Sequence, residues 1–324
     1  MIVVFTGGTG GTKLVQGLQQ MIAPEELTVI VNTGDDIEWW GLHVSPDVDS
    51  VLYGLAGLLS KDRGWGVDGD SFRCLERMKN LGEPGWFSLG DLDLATHLTR
   101  TALLRAGKSL TEATAELATR FGVRECVLPM SDDRVSTMLD TEVGTLTFQE
   151  YFVRERHQVE VSSVRFERAE NARPAPGVLE SIASADAVVF APSNPVTSIG
   201  PILAVPGVRE ALRSTSAPIV AVSPIVGGAA VSGPADKLMQ KMGWPISIAG
   251  VAKAYEDFLD VLVVDRADEP VIATEQAKFG EVTRSRNGTV RFAATNTMMR
   301  SMGDKRNLAG FVLDACAVRP VIKA

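Results

Sequence analysis

The sequence has few of the residues that bind transition metals or cross-link extracellular domains. Among its 324 residues there are three cysteines and three histidines, and no histidine pairs with a cysteine at metal-ligand spacing. The odd and scattered set of Cys74, Cys126 and Cys316 argues against a disulfide framework and predicts reduced thiols. A zinc centre is disfavoured for the same reason, whereas a hard cation held by carboxylates stays open.

The sequence also lacks an excess of positive charge and a long apolar run. Its formal net charge is −8 at pH 7, which argues against binding nucleic acid through a basic surface. No apolar run reaches about 18 residues, so we predict no transmembrane helix. The chain opens on a strand and glycines rather than on a basic region with a cleavage site. We therefore expect a cytoplasmic protein without a signal peptide.

The first 36 residues carry the strongest pattern. Apolar runs at residues 2–5 and 27–31 flank a glycine-rich loop and an amphipathic segment, which predicts a β-loop-α-β unit. Glycines let the backbone approach a ligand closely, and the start of a helix offers N–H groups to a phosphate. The loop fits neither the Walker motif nor the dinucleotide fingerprint, and a turn that only packs strand on helix is the alternative. The predicted phosphate-binding residues are Gly8, Thr9, Gly10, Gly11, Thr12 and Lys13.

Four aspartates follow within a short stretch. Asp35 and Asp36 stand where the second strand should end, at the edge of an α/β sheet where ligands bind. Loop carboxylates beside a phosphate are the ligands that Mg²⁺ prefers. The alternatives are a solvated strand end for Asp35 and Asp36, and an N-cap role for Asp49 or Ser50. The predicted Mg²⁺ ligands are Asp35, Asp36, Asp47 and Asp49.

Residues 61–144 differ in composition, with turn-rich aromatic stretches and polar helical patterns. We predict a single elaborated domain whose core, 1–60 and 145–324, is interrupted by this mainly helical insertion. Trp65, Trp86 and Phe87 would form a stacking wall for a flat ring, with ordinary core packing as the alternative.

Beyond the insertion, apolar runs again end in small polar residues. The runs at 187–190, 219–222 and 261–265 repeat the architecture of the opening. This repetition predicts an α/β fold with a Rossmann-like, doubly wound, mostly parallel sheet and one shared cleft. Lys237 would lie one turn into a helix and face an anion. The polar residues predicted at this cleft are Ser193, Asn194, Thr197 and Ser198.

Several of these segments together resemble one family. They are residues 7–14, 32–36, 45–49, 89–97, 128–133, 148–152, 192–201 and 232–238. They follow one another in the family's order over nearly the whole chain. The chain is identified as a member of the CofD family, the 2-phospho-L-lactate transferases of coenzyme F420 biosynthesis (FbiA in mycobacteria).

The resemblance implies an enzyme that transfers a phospho-acid moiety to the ribityl hydroxyl of the deazaflavin Fo. The donor would be a guanosine diphosphate ester of lactate, enolpyruvate or a related acid, and GMP would be released. It also implies a homodimer and a bound Mg²⁺, with Asp35 and Asp49 as catalytic residues and first-choice ligands. Ser193, Asn194, Thr197, Ser198 and Lys237 would hold the guanosine diphosphate portion, together with the glycine loop. The residues placed near Fo are Asp49, Trp86, Phe87, Ser88, Asp91, His97 and Arg100.

A non-catalytic nucleotide-sugar-binding regulator of the same fold is the alternative from another class. Such regulators share the glycine loop but lack the Ser-Pro-Asp-x-Asp and Leu-Gly-Asp-x-Asp-Leu-Ala-Thr-His segments. Both segments are present here, at 45–49 and 89–97, and they favour the transferase.

Overall fold

A parallel seven-stranded sheet forms the centre of the computed structural model, which describes residues 1–280 and 290–318. Its strand order is β5-β2-β1-β9-β10-β13-β14, and every neighbouring pair is parallel. The strands are β1 (Ile2–Thr6), β2 (Leu27–Val31), β3 (Ile37–Trp39), β4 (Leu42–Val44), β5 (Cys126–Pro129), β6 (Ser136–Thr141), β7 (Gly144–Thr147), β8 (Val161–Glu167), β9 (Ala187–Phe190), β10 (Ile219–Val222), β11 (Ile225–Val226), β12 (Ala229–Ala230), β13 (Val261–Asp265) and β14 (Arg291–Thr295). The chain order reverses between β1 and β9, which confirms the predicted doubly wound topology.

Helices connect the strands and cover both faces of the sheet. Among the helices that the structure describes, none combines the length and apolar character needed to cross a bilayer. The helices are α1 (Gly8–Gln19), α2 (Pro46–Leu55), α3 (Arg73–Asn80), α4 (Asp91–Arg105), α5 (Leu110–Arg120), α6 (Val178–Ala183), α7 (Gly200–Ala204), α8 (Val208–Ser214), α9 (Ala235–Lys241), α10 (Ile248–Ala254), α11 (Ile272–Gly280) and α12 (Met302–Ala315).

The central strands are apolar throughout because both of their faces are covered. Every residue of β1, β2 and β13 is buried, as expected for a parallel sheet between helical layers. Side chains alternate between the two layers, so that Val3 and Phe5 pack on one side and Ile2 and Val4 on the other. On the second side α1 and α12 approach closely, because a Cβ at Gly17 would lie 2.2 Å from the carbonyl oxygen of Lys305.

The range predicted for the helical insertion, about 61–144, also contains a strand of the central sheet. The helices α3, α4 and α5 end at Arg120, and β5 then pairs in parallel with β2 as an edge of that sheet. This strand was not predicted, because a four-residue strand ending in proline shows no clear periodicity. The division of the chain into domains stays a prediction.

The segment 145–153 has the apolar and aromatic composition of a core strand, but it does not join the central sheet. The strand β7 joins β6 and β8 in a separate antiparallel sheet, and a π-helical turn, Glu150–Arg154, follows. These residues instead form the end of β7 and the π-helical turn, two short elements that border the cleft.

Candidate active site

The predicted glycine loop is largely the first part of a helix. Since α1 begins at Gly8, residues 8–13 lie in its first turns, and Gly8 itself has a left-handed φ of 62°. A Cβ at Gly7 would lie 2.7 Å from both Asp47 Oδ2 and Ser198 Cβ. The glycines thus let Asp47 and Ser198 approach the start of α1. That the glycine loop binds a phosphate stays a prediction.

Other members of the predicted phosphate loop have structural contacts. Thr12 Oγ1 donates a hydrogen bond to the Gly8 carbonyl at 2.9 Å, and its methyl group faces Gly54 of α2. A Cβ at Gly11 would clash with Thr6 and Ser193, so this glycine is required for packing. Lys13 is exposed on the surface of α1. The packing-turn interpretation therefore holds for part of the loop.

Asn32 joins three loops at the point where the strand order reverses. Its Nδ2 donates to Asp47 Oδ2 at 2.9 Å and to the Thr197 carbonyl at 3.3 Å, and its Oδ1 accepts from the Gly34 N–H at 2.8 Å. The side chain is fully buried. Asn32 is thus a site residue that sequence analysis placed in a motif but did not select.

The polar residues after β9 divide into two groups. Ser193 Oγ donates to the Gly7 carbonyl at 2.9 Å, and Asn194 Oδ1 accepts from the Val196 N–H at 2.9 Å, so both shape the loop. Thr197 is buried, and its hydroxyl has no partner within the described residues. Lys237 is exposed and donates to the His157 carbonyl at 3.2 Å. Of the polar residues after β9, Thr197 and the half-buried Ser198 therefore lie at the switch point between β1 and β9.

Three of the four predicted aspartates interact with one another, and of these Asp35 and Asp47 are buried while Asp36 is half-buried. Burial and the charge of Asp47 raise the pKa of Asp35 well above its usual value. Burial also raises the pKa of Asp47 to about 7, although the hydrogen bond from Asn32 opposes this. Asp36 Oδ2 accepts from Ser45 Oγ at 2.6 Å and lies 3.0 Å from a ring nitrogen of His43.

Each of Asp35 and Asp36 keeps one buried oxygen, Oδ1, without a hydrogen-bond partner in the described part of the chain. Buried carboxylates that raise one another's pKa and retain free oxygens fit a hard divalent cation. The oxygens of these two residues and Asp47, called here the open carboxylates, are not gathered within 4.8 Å of one another. Among the described residues only another set meets that spacing.

That other set contains the fourth aspartate. Asp49 accepts hydrogen bonds on both oxygens from the guanidinium of Arg100, which is completely buried. His97 Nδ1 lies 3.5 Å from Asp49, and its Nε2 lies 3.2 Å from Asp93. The ligand atoms of Asp49, Asp93 and His97 lie within 4.8 Å of one another, but Arg100 already supplies a positive charge there.

The structure therefore separates Asp49 from the other predicted Mg²⁺ ligands. The N-cap interpretation is also wrong, since α2 begins at Pro46 and both Asp49 and Ser50 lie inside the helix. A buried ion pair between residues 51 positions apart is not visible in the sequence.

The predicted aromatic wall exists in part. The ring of Trp86 meets that of Trp39 edge to face at a centroid distance of 4.8 Å, and Phe87 packs against both. Trp39 and Trp86 line a cavity of about 220 Å³ that also contacts Asp35 and Asp36. Trp65 lies elsewhere, against Phe72 and Arg63. Its predicted place in the wall is wrong, because its ring packs against Phe72 and Arg63 and not against Trp86 or Phe87.

A sequence comparison identifies the family to which these elements belong. The sequence model of the family described as 2-phospho-L-lactate transferase CofD matches residues 2–300. The chain belongs to the CofD family.

Individual relatives span most of the chain. It is 45% identical over 271 residues to a 2-phospho-L-lactate transferase of Methanosarcina mazei, covering 83% of this chain and 89% of that protein. It is 47% identical over 284 residues to a phosphoenolpyruvate transferase of Streptomyces griseus subsp. griseus, covering 85% and 89%. A crystal structure of a UPF0052 family protein from Bacillus halodurans superposes with a TM-score of 0.60 at 19% identity, over 96% of this chain and 98% of that one. This last likeness concerns the fold alone.

Four further residues of this CofD-family chain were predicted to lie near Fo: Asp91, Ser88, His97 and Arg100. Asp91 accepts hydrogen bonds from the Cys74 N–H at 3.0 Å and from Ser71 Oγ at 2.5 Å at the start of α3. These bonds lower the pKa of Asp91 and indicate that it caps α3, and its place near Fo stays a prediction. Ser88 is half-buried in the turn before α4. His97 and Arg100 contact Asp49, so neither faces the cavity directly.

Sequence analysis missed Trp39 as a wall residue. It lies in β3, only three residues beyond Asp36, and its side chain is buried. The signal was the adjacency of an aromatic pair, Trp39 and Trp40, to the aspartates at the strand end.

Proposed function

We propose that this chain transfers a phospho-acid moiety to the deazaflavin Fo in coenzyme F420 biosynthesis. Its relatives carry the names 2-phospho-L-lactate transferase and phosphoenolpyruvate transferase. The observation that carries the proposal is the cavity between Trp39 and Trp86, which borders two of the open carboxylates, Asp35 and Asp36. An aromatic wall suits a flat ring, and a charged centre beside it suits a phosphoryl group.

The donor in this proposal is a guanosine diphosphate ester of the acid. The ribityl hydroxyl oxygen of Fo forms a bond to the phosphorus that carries the acid, and the bond from that phosphorus to the bridging oxygen breaks. GMP leaves with the bridging oxygen and its electron pair. Such a transfer depends on alignment and charge neutralisation more than on covalent catalysis.

Asp35 is the residue best placed to accept the hydroxyl proton. It lines the cavity, and one of its oxygens has no hydrogen-bond partner among the described residues. Asp49 is bound by Arg100 and would act from a distance, by keeping α2 and α4 together beside the cavity.

The open carboxylates would hold Mg²⁺ in this proposal. When bound, the ion supplies positive charge that neutralises the diphosphate. Without such charge, the carboxylates of Asp35, Asp36 and Asp47 would repel an anionic donor. The free oxygens of Asp35 and Asp36 and the raised pKa values of Asp35 and Asp47 fit this need.

Incubation of the purified protein with Fo, Mg²⁺ and guanylylated phospholactate, phosphoenolpyruvate or phosphoglycerate tests the proposal. We expect Fo to gain the mass of one phospho-acid for each GMP released, measured by mass spectrometry. An absence of product with every donor, together with no binding of Fo, would favour the nucleotide-sugar-binding regulator.

Trp86→Ala tests the place of Fo in the cavity. We expect Fo to bind about 1–3 kcal/mol more weakly, because a stacked aromatic partner is lost, while donor affinity hardly changes. Deazaflavin fluorescence measures the binding. Trp65→Ala is the matched control, since Trp65 meets Phe72 edge to face and lines neither cavity described for this site. An equal loss of affinity for Fo and donor would assign Trp86 to core packing.

A further inference from the structure

Arg134 lies where two cavities adjoin. The cavity between Trp39 and Trp86 is one of them, and a second cavity of about 450 Å³ extends past Asp36 and His43 towards α4 and α5. Arg134 lines both. It is exposed, and within the described residues its guanidinium makes no ion pair or hydrogen bond.

The acidic neighbours of Arg134 in sequence do not neutralise it because they have other partners. Asp132 accepts hydrogen bonds from the N–H and the hydroxyl of Thr111, at 2.7 and 2.8 Å. Asp133 accepts from Arg173, whose N–H lies 2.9 Å away. Arg134 is thus left with its five donors free at the edge of the cleft.

The other basic residues around these cavities have partners. Arg105 donates to the Gly41 carbonyl at 3.0 Å, and Lys108 forms an ion pair with Glu116. Beside the first cavity, the guanidinium of Arg154 forms an ion pair at 2.7 Å with Glu150, which lines that cavity. Arg134 is therefore the cationic residue that lines both cavities, and its guanidinium has no partner among the described residues.

We propose that Arg134 binds the carboxylate of the acid moiety that the enzyme transfers. The inference rests on the proposed function, in which the open carboxylates and their cation hold the phosphates. The donor then carries one more anionic group, the carboxylate, and a guanidinium matches its two oxygens with a planar pair of N–H donors.

A cycle of two enzymes and two donors tests this assignment. The donors are the guanylylated phospho-acid and its methyl ester, which lacks the carboxylate charge, and the enzymes are the wild type and Arg134→Ala. We expect Arg134→Ala to lower kcat/KM about ten- to a hundredfold for the acid and less than about threefold for the ester. The KM for Fo should not change. Arg134→Lys, which keeps the charge but loses the planar pair of donors, should fall between the two.

Arg173→Ala is the matched control. It removes an arginine beside Asp133, but Arg173 lines neither cavity, and its side chain is 87% exposed. We expect its kcat/KM for both donors to stay within about twofold of the wild type. An equal loss on acid and ester in Arg134→Ala would overturn the proposal by assigning Arg134 to the diphosphate. An unchanged rate on both donors would also overturn it.

Equilibrium binding separates this inference from the proposed function. If the wild type transferred neither donor, the proposed function would fail, but donor analogues with a methylene bridge in place of the diphosphate oxygen would still report on Arg134. Wild-type protein should bind the acid analogue at least about tenfold more tightly than its ester, and Arg134→Ala should abolish the difference. Equal binding of acid and ester by the wild type would overturn the assignment.

Discussion

Two groups of aspartates beside the cleft differ in how their charge is compensated. Asp49 and Asp93 are held by Arg100, His97 and Tyr53. Burial alone would raise the pKa of Asp93, but the hydrogen bond and charge of His97 outweigh it, and the pKa is lowered. We call this set of five residues the closed network.

The open carboxylates Asp35, Asp36 and Asp47 have the opposite character. Burial and mutual repulsion raise the pKa of Asp35 and of Asp47. An aspartate whose charge is compensated inside the protein contributes to stability. An aspartate without a counter-charge beside a cavity can bind a ligand instead. The comparison predicts that variants of the two groups will affect different properties, stability in one and turnover in the other.

Arg100→Leu should produce the largest effect, because it breaks the closed network and leaves Asp49 buried without a counter-charge. We expect the free energy of unfolding to fall by about 3–5 kcal/mol, measured by urea denaturation. The double variant Asp49→Leu/Arg100→Leu should recover most of this loss, since no buried charge then remains alone. A loss below about 1 kcal/mol for Arg100→Leu would show that solvent reaches Asp49.

Asp35→Asn should slow transfer at least about a hundredfold, close to 2.7 kcal/mol in the barrier, with no loss of stability. The change removes a charge that binds the cation and accepts the hydroxyl proton. EDTA should abolish the wild-type rate, and Mg²⁺ should restore it. Asp186→Asn, which removes a surface carboxylate paired with the N-terminus, is the control. Full activity in EDTA, or normal turnover of Asp35→Asn, would contradict the role of the open carboxylates.

Asp47→Asn should have a smaller effect that depends on pH. A carboxyl group with a raised pKa in the folded state destabilises the fold as the pH rises from its unfolded pKa, near 4, to its folded pKa, about 7. Without metal, we therefore expect Asp47→Asn to be more stable than the wild type by about 1–3 kcal/mol at pH 8 and equally stable near pH 4. The asparagine can still accept the hydrogen bond from Asn32.

Mg²⁺ provides the control for that measurement. The ion should raise the Tm of the wild type at pH 8 more than at pH 5, because protons compete for the same oxygens. The variant should respond less. A stability difference that does not change between pH 4 and pH 8 would mean that Asp47 is not held protonated by its surroundings.

The sequence predicted the elements whose signal is local. The strands β1, β2, β9, β10 and β13 are confirmed because continuous apolar runs mark buried parallel strands. The strand β5 was missed because its four residues carry little pattern. Asp35 and Asp36 were predicted at the cleft because they follow the end of β2, a position that the topology of the sheet dictates. The closed network was not found, since only the folded chain brings Arg100 beside Asp49, and a helix-cap interpretation of Asp49 fitted the sequence equally well.

Tyr53→Phe should give the smallest effect and resolve the closed network further. The Tyr53 hydroxyl lies 2.7 Å from both Asp93 Oδ1 and Thr96 Oγ1, and it is buried. Its removal deletes one hydrogen bond to Asp93, which still has His97 as a partner. We therefore expect the free energy of unfolding to fall by about 1 kcal/mol. The transfer rate should stay within about twofold, because Asp93 does not reach the cavity.

Tyr151→Phe is the control for that change. The Tyr151 hydroxyl is also buried, but it has no hydrogen-bond partner in the described residues, so its deletion should leave the free energy of unfolding unchanged or raise it. A difference between the two variants therefore measures the hydrogen bond rather than the loss of an oxygen atom. If Tyr53→Phe slowed transfer as much as Asp35→Asn while its stability held, the closed network would belong to the catalytic machinery. The two groups of aspartates would then differ in position but would both contribute to transfer.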